Sequence, residues 1–210
     1  MIFNQMFSKI VAAIRFFKYN THPARIEAKT RKVVLFGLNK AFEIFKNKKF
    51  RSFLQFENKQ IKEQDRIFNE LTVTNIVFLM FLLEQIIHDT EEEDRQEYFR
   101  AIKENIPKYF AGFIGRLGIE NGYINLWDYL INMRHEEYTA SINDFRAEFL
   151  KQKDRKISEL AYDNLIMIFQ AIAFGLYKHI MRGKIKRGDP FYDFLQSYLL
   201  RVHKGYLKRI

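Results

Sequence analysis

The most apolar stretch of the chain runs from Asn75 to Ile87 and reads NIVFLMFLLEQII. An apolar run of this length without Gly or Pro is typical of a helix in the centre of a hydrophobic core. It is shorter than the roughly 20 apolar residues that a helix needs to cross a bilayer. A second stretch of similar character runs from Leu165 to Tyr177. We therefore predict two core helices and no transmembrane segment.

The sequence around these stretches contains few residues that break helices. Only 3 Pro and 9 Gly occur among the 210 residues, and no run of alternating strands with paired turn signals is present. Hydrophobic residues make up 48% of the chain, which excludes wholesale disorder. We predict an all-α fold, a single-domain helical bundle of about seven to nine helices over residues 1–210.

Capping residues, prolines and glycines predict where the other helices begin and end. In the first half, we predict a helix over Ala24–Phe45, a polar connection or exposed helix turn over Glu57–Arg66, and a helix that Thr90 caps and that stops before Pro107. In the second half, we predict a short helix and turn around Gly112, Gly115, Gly118 and Gly122, a helix over Leu126–Met133, a separate helix from Ser141 to about Gln152, a helix from Ser158 to Arg182 that Gly183 stops, and a last helix that Asp189 caps, with Pro190 at its first position. The first segment, Met1–Asn20, has an amphipathic helical pattern. It fits a helix packed on the core, or a cationic helix lying on a membrane surface.

The absence of cysteine excludes several kinds of site. Disulfides, thiolate nucleophiles, iron–sulfur clusters and Cys-ligated zinc all require a residue that this chain lacks. The composition suits a reducing compartment, so we expect a cytoplasmic protein, with peripheral contact to the inner membrane surface as an alternative.

Charge is distributed unevenly along the chain, whose net charge is +10. Residues 1–66 carry 15 Lys/Arg against 5 Asp/Glu, residues 67–150 carry 7 against 15, and residues 151–210 carry 13 against 5. The two basic ends of the sequence either face an anionic partner or neutralise the acidic middle within the fold.

The basic residues give the strongest indication of function. Lys and Arg supply the sequence-independent part of nucleic-acid affinity, and they attract anionic lipid headgroups equally well. The candidate polyanion-binding residues form three groups: Arg25, Lys29, Arg31 and Lys32; Lys46, Lys48, Lys49 and Arg51; and Arg182, Lys184, Lys186 and Arg187.

The histidines suggest a different kind of site, one that binds a metal ion. Glu84 and His88 lie four residues apart, so one helix face presents both to a metal ion, and Asp89 follows directly. The His88-Asp89 pair resembles the dyad of the HD phosphohydrolases, a family that needs further His and Asp ligands from other helices. Only scattered residues such as His22 or Asp163 are available for that role. Further candidates are His135 with its neighbouring glutamates and the pair Asp163 and His179.

Two functional hypotheses follow. The first is a non-enzymatic helical interaction protein whose basic segments contact nucleic acid, an anionic membrane surface or an acidic protein. The second is a metal- or cofactor-dependent helical enzyme with a site near Glu84, His88 and Asp89, and the sequence identifies no particular cofactor. Self-association through Phe-rich faces, giving a homodimer, is a third alternative.

Overall fold

The computed structural model describes residues 21–116, 121–151, 160–184, 186 and 188–208, without the side chains at 121–124, 149–150 and 160–163. Within these ranges the chain is helical and contains no strand, so the predicted all-α bundle is confirmed. The helices are α1 (Pro23–Phe45), α2 (Lys48–Phe53), α3 (Ile61–His88), α4 (Glu93–Arg116), α5 (Asn121–Leu150), α6 (Leu160–Ile180) and α7 (Pro190–Leu207), with a 3₁₀ turn at Phe56–Asn58. The predicted segment Met1–Asn20 lies outside the described residues.

Helix α3 forms the centre of the bundle. It packs against α1, α4, α5 and α6, and every residue from Leu71 to Leu83 is buried. By length and composition alone it could cross a membrane, since its 28 residues include an apolar window of mean hydropathy 1.6. In the fold 72% of that window is buried, and the central helix of a folded domain meets the same criteria. The predicted core helix is confirmed, but it begins at Ile61, inside the segment predicted as a connection.

Several predicted boundaries are confirmed by the local geometry. Helix α1 begins at Pro23, one residue before the predicted Ala24, and the fixed φ of proline suits the first helical position. Gly183 has φ 77° and donates its N–H to the Lys178 carbonyl at 2.9 Å, which closes the end of α6. Asp189 accepts a hydrogen bond from the Phe191 N–H at 2.9 Å and so caps α7.

Three predicted boundaries are wrong. Helix α4 continues through Pro107, which is buried inside it, because the apolar face on both sides of the proline packs against α1 and α3. Helix α5 continues through Ser141, whose hydroxyl donates to the Glu137 carbonyl at 3.1 Å instead of capping a new helix. The Thr90 hydroxyl donates to the Ile86 carbonyl at 2.6 Å, so it belongs to the end of α3.

The glycine prediction is also wrong where it can be compared. Gly112 and Gly115 lie within α4, and Gly122 lies within α5. Ser158, predicted to open α6, lies outside the described residues. The structure therefore joins segments that the sequence divided, and the described helices are longer than predicted while their number, seven, lies within the predicted range.

Candidate functional site

Two of the three predicted basic groups lie at the same end of the molecule, which we call the basic end. Its residues are Lys46, Lys48, Lys49, Arg51, Arg182, Lys184 and Lys186. Rings of α2 pack against the start of α7, with centroids of Phe50 and Phe191 5.8 Å apart and of Phe53 and Phe194 5.6 Å apart. This packing brings α2 next to the connection between α6 and α7, which carries Arg182, Lys184 and Lys186. Arg187 lies outside the described residues.

Polar contacts fix this arrangement. The Arg66 guanidinium donates to the carbonyls of His179 and Ile180, each at 2.9 Å, and so satisfies the carboxyl end of α6. It also pairs with Glu63 at 2.7 Å, and Arg182 pairs with the same carboxylate. The hydrogen bond from Arg66, together with Arg182 and against the effect of desolvation, lowers the pKa of Glu63 to about 2. The start of α3 and the end of α6 are therefore joined through one carboxylate.

The lysines of the basic end form no ion pair with a described carboxylate, although, after the hydrogen bond from the Phe191 N–H, the charge of Lys186 also contributes to lowering the pKa of Asp189. Arg51 pairs with Glu57 at 2.7 Å, and Arg182 pairs with Glu63. In the parts of the chain that the structure describes, the five lysines form no ion pair. Some of them lie over aromatic rings: the Lys46 ammonium lies 4.6 Å from the centroid of Phe42, which holds its stem against the surface.

A shallow cleft of about 650 Å³ opens on this surface. Lys46, Lys48 and Arg51 line it, together with the polar side chains of Ser52, Gln55 and Asn58. Hydroxyl and amide groups beside three cations can donate and accept hydrogen bonds with phosphate or carboxylate oxygens.

In the described part of the chain, the acidic middle of the sequence does not pair with the basic end. Its four consecutive acids, residues 91–94, follow the end of α3, whereas the basic end lies at the start of that helix, roughly 40 Å away along its axis. Other carboxylates of the acidic middle pair with basic residues of that same segment: Glu70 with Arg134 and Glu84 with Lys103, each at 3.0 Å. Among the described residues, no ion pair joins the basic end to an acid of residues 67–150.

The remaining basic group lies elsewhere, on the first half of α1. Arg25, Lys29, Arg31 and Lys32 are about 20–30 Å along the helix axis from α2. Arg31 and Lys32 line a groove of about 640 Å³ with Arg116 of α4, whose guanidinium lies 5.4 Å from the ring centroid of Tyr109. Arg116 is not among the predicted basic residues because it belongs to the acidic segment, and the packing of α4 on α1 brings it to this groove.

The candidate metal residues are divided between different partners. Glu84 accepts a hydrogen bond from Lys103 at 3.0 Å and bonds His135 Nε2 at 2.9 Å. Burial alone would raise its pKa, but the bonds from His135 and Lys103 outweigh that effect and lower it. The exposed His88 lies 3.1 Å from the carboxylate of its neighbour Asp89.

No group of three potential metal ligands occurs among the residues that the structure describes. The resemblance to the HD phosphohydrolases is not supported there, because Glu84 faces α4 and α5 instead of sharing a ligand with His88. His22 is exposed before α1, and the Asp163 side chain is not described. The predicted Asp163–His179 pair is therefore untested.

The other candidate histidine has a structural partner. His179 Nε2 bonds Glu137 at 2.9 Å, and Glu137 also pairs with Arg134 at 3.1 Å. Burial, followed by the nearby charge of Arg134, lowers the pKa of His179. This network joins α3, α5 and α6 and gives His179 a role in the packing of the bundle.

Comparisons with known proteins add no assignment. No protein-family model matches the sequence, and no curated protein or solved structure is significantly similar to it. Among the described residues, the basic end is the place where two of the three predicted basic groups come together.

Proposed function

We propose that this chain is a helical polyanion-binding protein that contacts its partner through the basic end. One observation carries the proposal: the packing of α2 on the start of α7 brings two basic groups far apart in the sequence, residues 46–51 and 182–186, to the same end of the molecule. Convergence of this kind creates a local positive potential that neither segment produces alone.

The distribution of ion pairs supports this function over internal neutralisation. A basic group that serves only to balance an acidic segment would pair with it, and the lysines of the basic end do not. The two arginines that do pair, Arg51 and Arg182, contact acids of the same end. Their pairing orders the surface and leaves the lysine ammonium groups for an external anion.

Nucleic acid is the leading candidate for the partner. Its regularly spaced phosphates release counterions when lysines approach, and this binding needs no particular base sequence. An anionic membrane surface and an acidic protein remain the alternatives, because the same lysines attract both. Arg31, Lys32 and Arg116 offer a second contact to a partner long enough to span about 20–30 Å.

Three titrations over several salt concentrations separate these partners. The probes are a labelled mixed-sequence oligonucleotide, vesicles with and without phosphatidylserine, and polyglutamate. Saturable oligonucleotide binding that weakens steeply with salt supports nucleic acid as the partner. Binding only to phosphatidylserine vesicles or only to polyglutamate would move the assignment to a membrane or to an acidic protein. No binding to any probe at low salt would contradict the proposal.

A further inference from the structure

A polar cavity lies between α3, α5 and α6, away from the basic end. Its volume is about 380 Å³, and its described lining includes Glu84, Gln85, His135, Arg146 and Asn164. Gln85 is about 33 Å along α3 from Glu63, which marks the basic end. A cavity of this volume falls in the range that holds small organic ligands.

Arg146 differs from the other half-buried arginines described above. Arg66 pairs with Glu63 and Arg134 pairs with Glu70. In the described part of the chain, Arg146 pairs with no carboxylate: its guanidinium donates to the amide oxygens of Asn143 at 3.3 Å and Asn164 at 2.8 Å. The Arg146 guanidinium is partly buried without a carboxylate counter-charge, and an anion in the cavity would supply one.

A chain of side-chain hydrogen bonds holds Arg146 in position. Asn164 donates to Gln85 at 2.8 Å, and Gln85 donates to both carboxylate oxygens of Asp89 at 2.8 Å. These bonds link α5, α6 and α3 across one side of the cavity. Because the amides fix the guanidinium in advance, a ligand loses less free energy to ordering the site.

A second polar group lies in the same cavity. The His135 ring stacks on Phe81, with centroids 4.6 Å apart and planes 5° apart. Its Nε2 is held by Glu84 at 2.9 Å. Because Nε2 is bound to Glu84 and the ring plane is fixed, Nδ1 of His135 is the nitrogen left to form a hydrogen bond with a ligand.

We propose that this cavity binds a small organic molecule bearing an oxyanion, either a carboxylate or a phosphate, which Arg146 receives, and a second polar group that His135 contacts. The site is independent of polyanion binding because its residues lie on other parts of the fold. Its volume and its single unpaired cation suit a metabolite-sized molecule, not a polymer.

Side-chain NMR tests the site directly. The ¹⁵N-labelled full chain is titrated separately with inorganic phosphate and with succinate, and the side-chain amide signals of Gln85 and Asn164 and the Arg146 Nε signal are followed. We expect saturable shifts of these signals with at least one probe, and the stronger probe identifies the anion class. No saturable shift with either probe would overturn the proposal, whatever happens at the basic end.

Variants locate the anion. Arg146→Gln is expected to raise the Kd of the stronger probe about tenfold or more. Arg146→Lys keeps the charge without the planar fork and is expected to give an intermediate Kd. Lys48→Gln removes one positive charge at the basic end and is the matched control, expected to leave the Gln85 and Asn164 shifts unchanged. Equal weakening in Arg146→Gln and Lys48→Gln would overturn the assignment to the cavity.

Discussion

At the point where α6 crosses α5, Gly175 lies against the ring of Tyr138. A Cβ added at Gly175 would lie 2.2 Å from Tyr138 Cε1 and 2.9 Å from Cδ1. The ring has little room to move, because Tyr138 is fully buried and its hydroxyl bonds Thr74 at 3.0 Å. Burial also raises the pKa of Tyr138, so it stays neutral. This contact among α3, α5 and α6 depends on a residue without a side chain.

Gly175→Ala is therefore expected to destabilise the fold by about 3 kcal/mol, since overpacking a core forces neighbouring groups to shift. Urea denaturation followed by circular dichroism measures the change. The matched control is Gly112→Ala, because a Cβ there meets only the Arg116 side chain at 3.9 Å. Ala at that exposed helical position is expected to stabilise by up to about 1 kcal/mol. Equal effects of the two substitutions would contradict the proposed packing.

The hydrogen bonds of Arg146 and Gly175's contact with Tyr138 are examples of what the sequence alone could not predict. Gly175 lies in an apolar stretch that correctly predicts a core helix, but nothing in that stretch indicates which ring lies against it. Arg146 has no local signal either, because its partner Asn164 is on another helix. Both features depend on how helices cross, which local periodicity does not determine.

At the scale of the helices, Glu63 connects the start of α3 with the end of α6. Its two arginine partners stabilise the ionised carboxylate, which is why its pKa falls to about 2 from 4.5. A carboxyl group whose pKa is lower in the folded state stabilises the fold at pH values above its unfolded pKa. That contribution is lost as the pH falls through the folded pKa.

We expect the wild-type free energy of unfolding to fall between about pH 4.5 and pH 2, in part through Glu63. Glu63→Gln lacks this carboxyl, so it is expected to be less stable at pH 7 and to lose less stability over that window. Urea denaturation at a series of pH values checks both. Glu104→Gln, at an exposed position of α4, is the control and should follow the wild-type profile. If the free energy of unfolding of Glu63→Gln changed with pH in parallel with that of wild type, Glu63 would not contribute to the pH dependence and its stabilising role would be contradicted.

Helix boundaries were predictable where the signal was local. Pro23, Gly183 and Asp189 act through the backbone of their own segment, and each boundary lies within two residues of its prediction. Pro107 and Ser141 carry equally strong local signals, but tertiary packing keeps the helices continuous through both. The errors therefore occur where long-range packing outweighs a local preference.

Asn47 is a local signal that the sequence analysis missed. Its side chain accepts a hydrogen bond from the Phe50 N–H at 3.1 Å and caps α2, the short helix that carries Lys48 and Lys49. Asn47→Ala is expected to cost about 1 kcal/mol and to weaken polyanion binding, since the lysines lose their fixed position. Asn47→Asp keeps an acceptor and is expected to preserve stability. Thermal denaturation measures the stability and the oligonucleotide titration measures the affinity. An Asn47→Ala variant with the stability and affinity of wild type would contradict the role of the cap.

At the scale of the whole molecule, positive charge is concentrated near the start of α3, and the four consecutive acids of residues 91–94 follow its end. The sequence predicted basic and acidic segments but could not predict which basic groups converge. Convergence depends on the packing of Phe50 and Phe53 against α7 and on the link through Glu63. Basic groups do not all converge in this fold, because the first group, on α1, lies apart from the other two.

The most direct test of the account compares two triple variants that remove the same charge from different places. The first carries Lys46→Gln, Lys48→Gln and Lys49→Gln; the control carries Lys151→Gln, Lys204→Gln and Lys208→Gln, outside the basic end. Oligonucleotide affinity is measured by fluorescence anisotropy at several salt concentrations. The first variant is expected to reduce the slope of log affinity against log salt by about 2, while the control keeps a slope close to wild type. Equal losses in both variants would mean that net charge alone drives binding and would contradict a defined surface at the basic end.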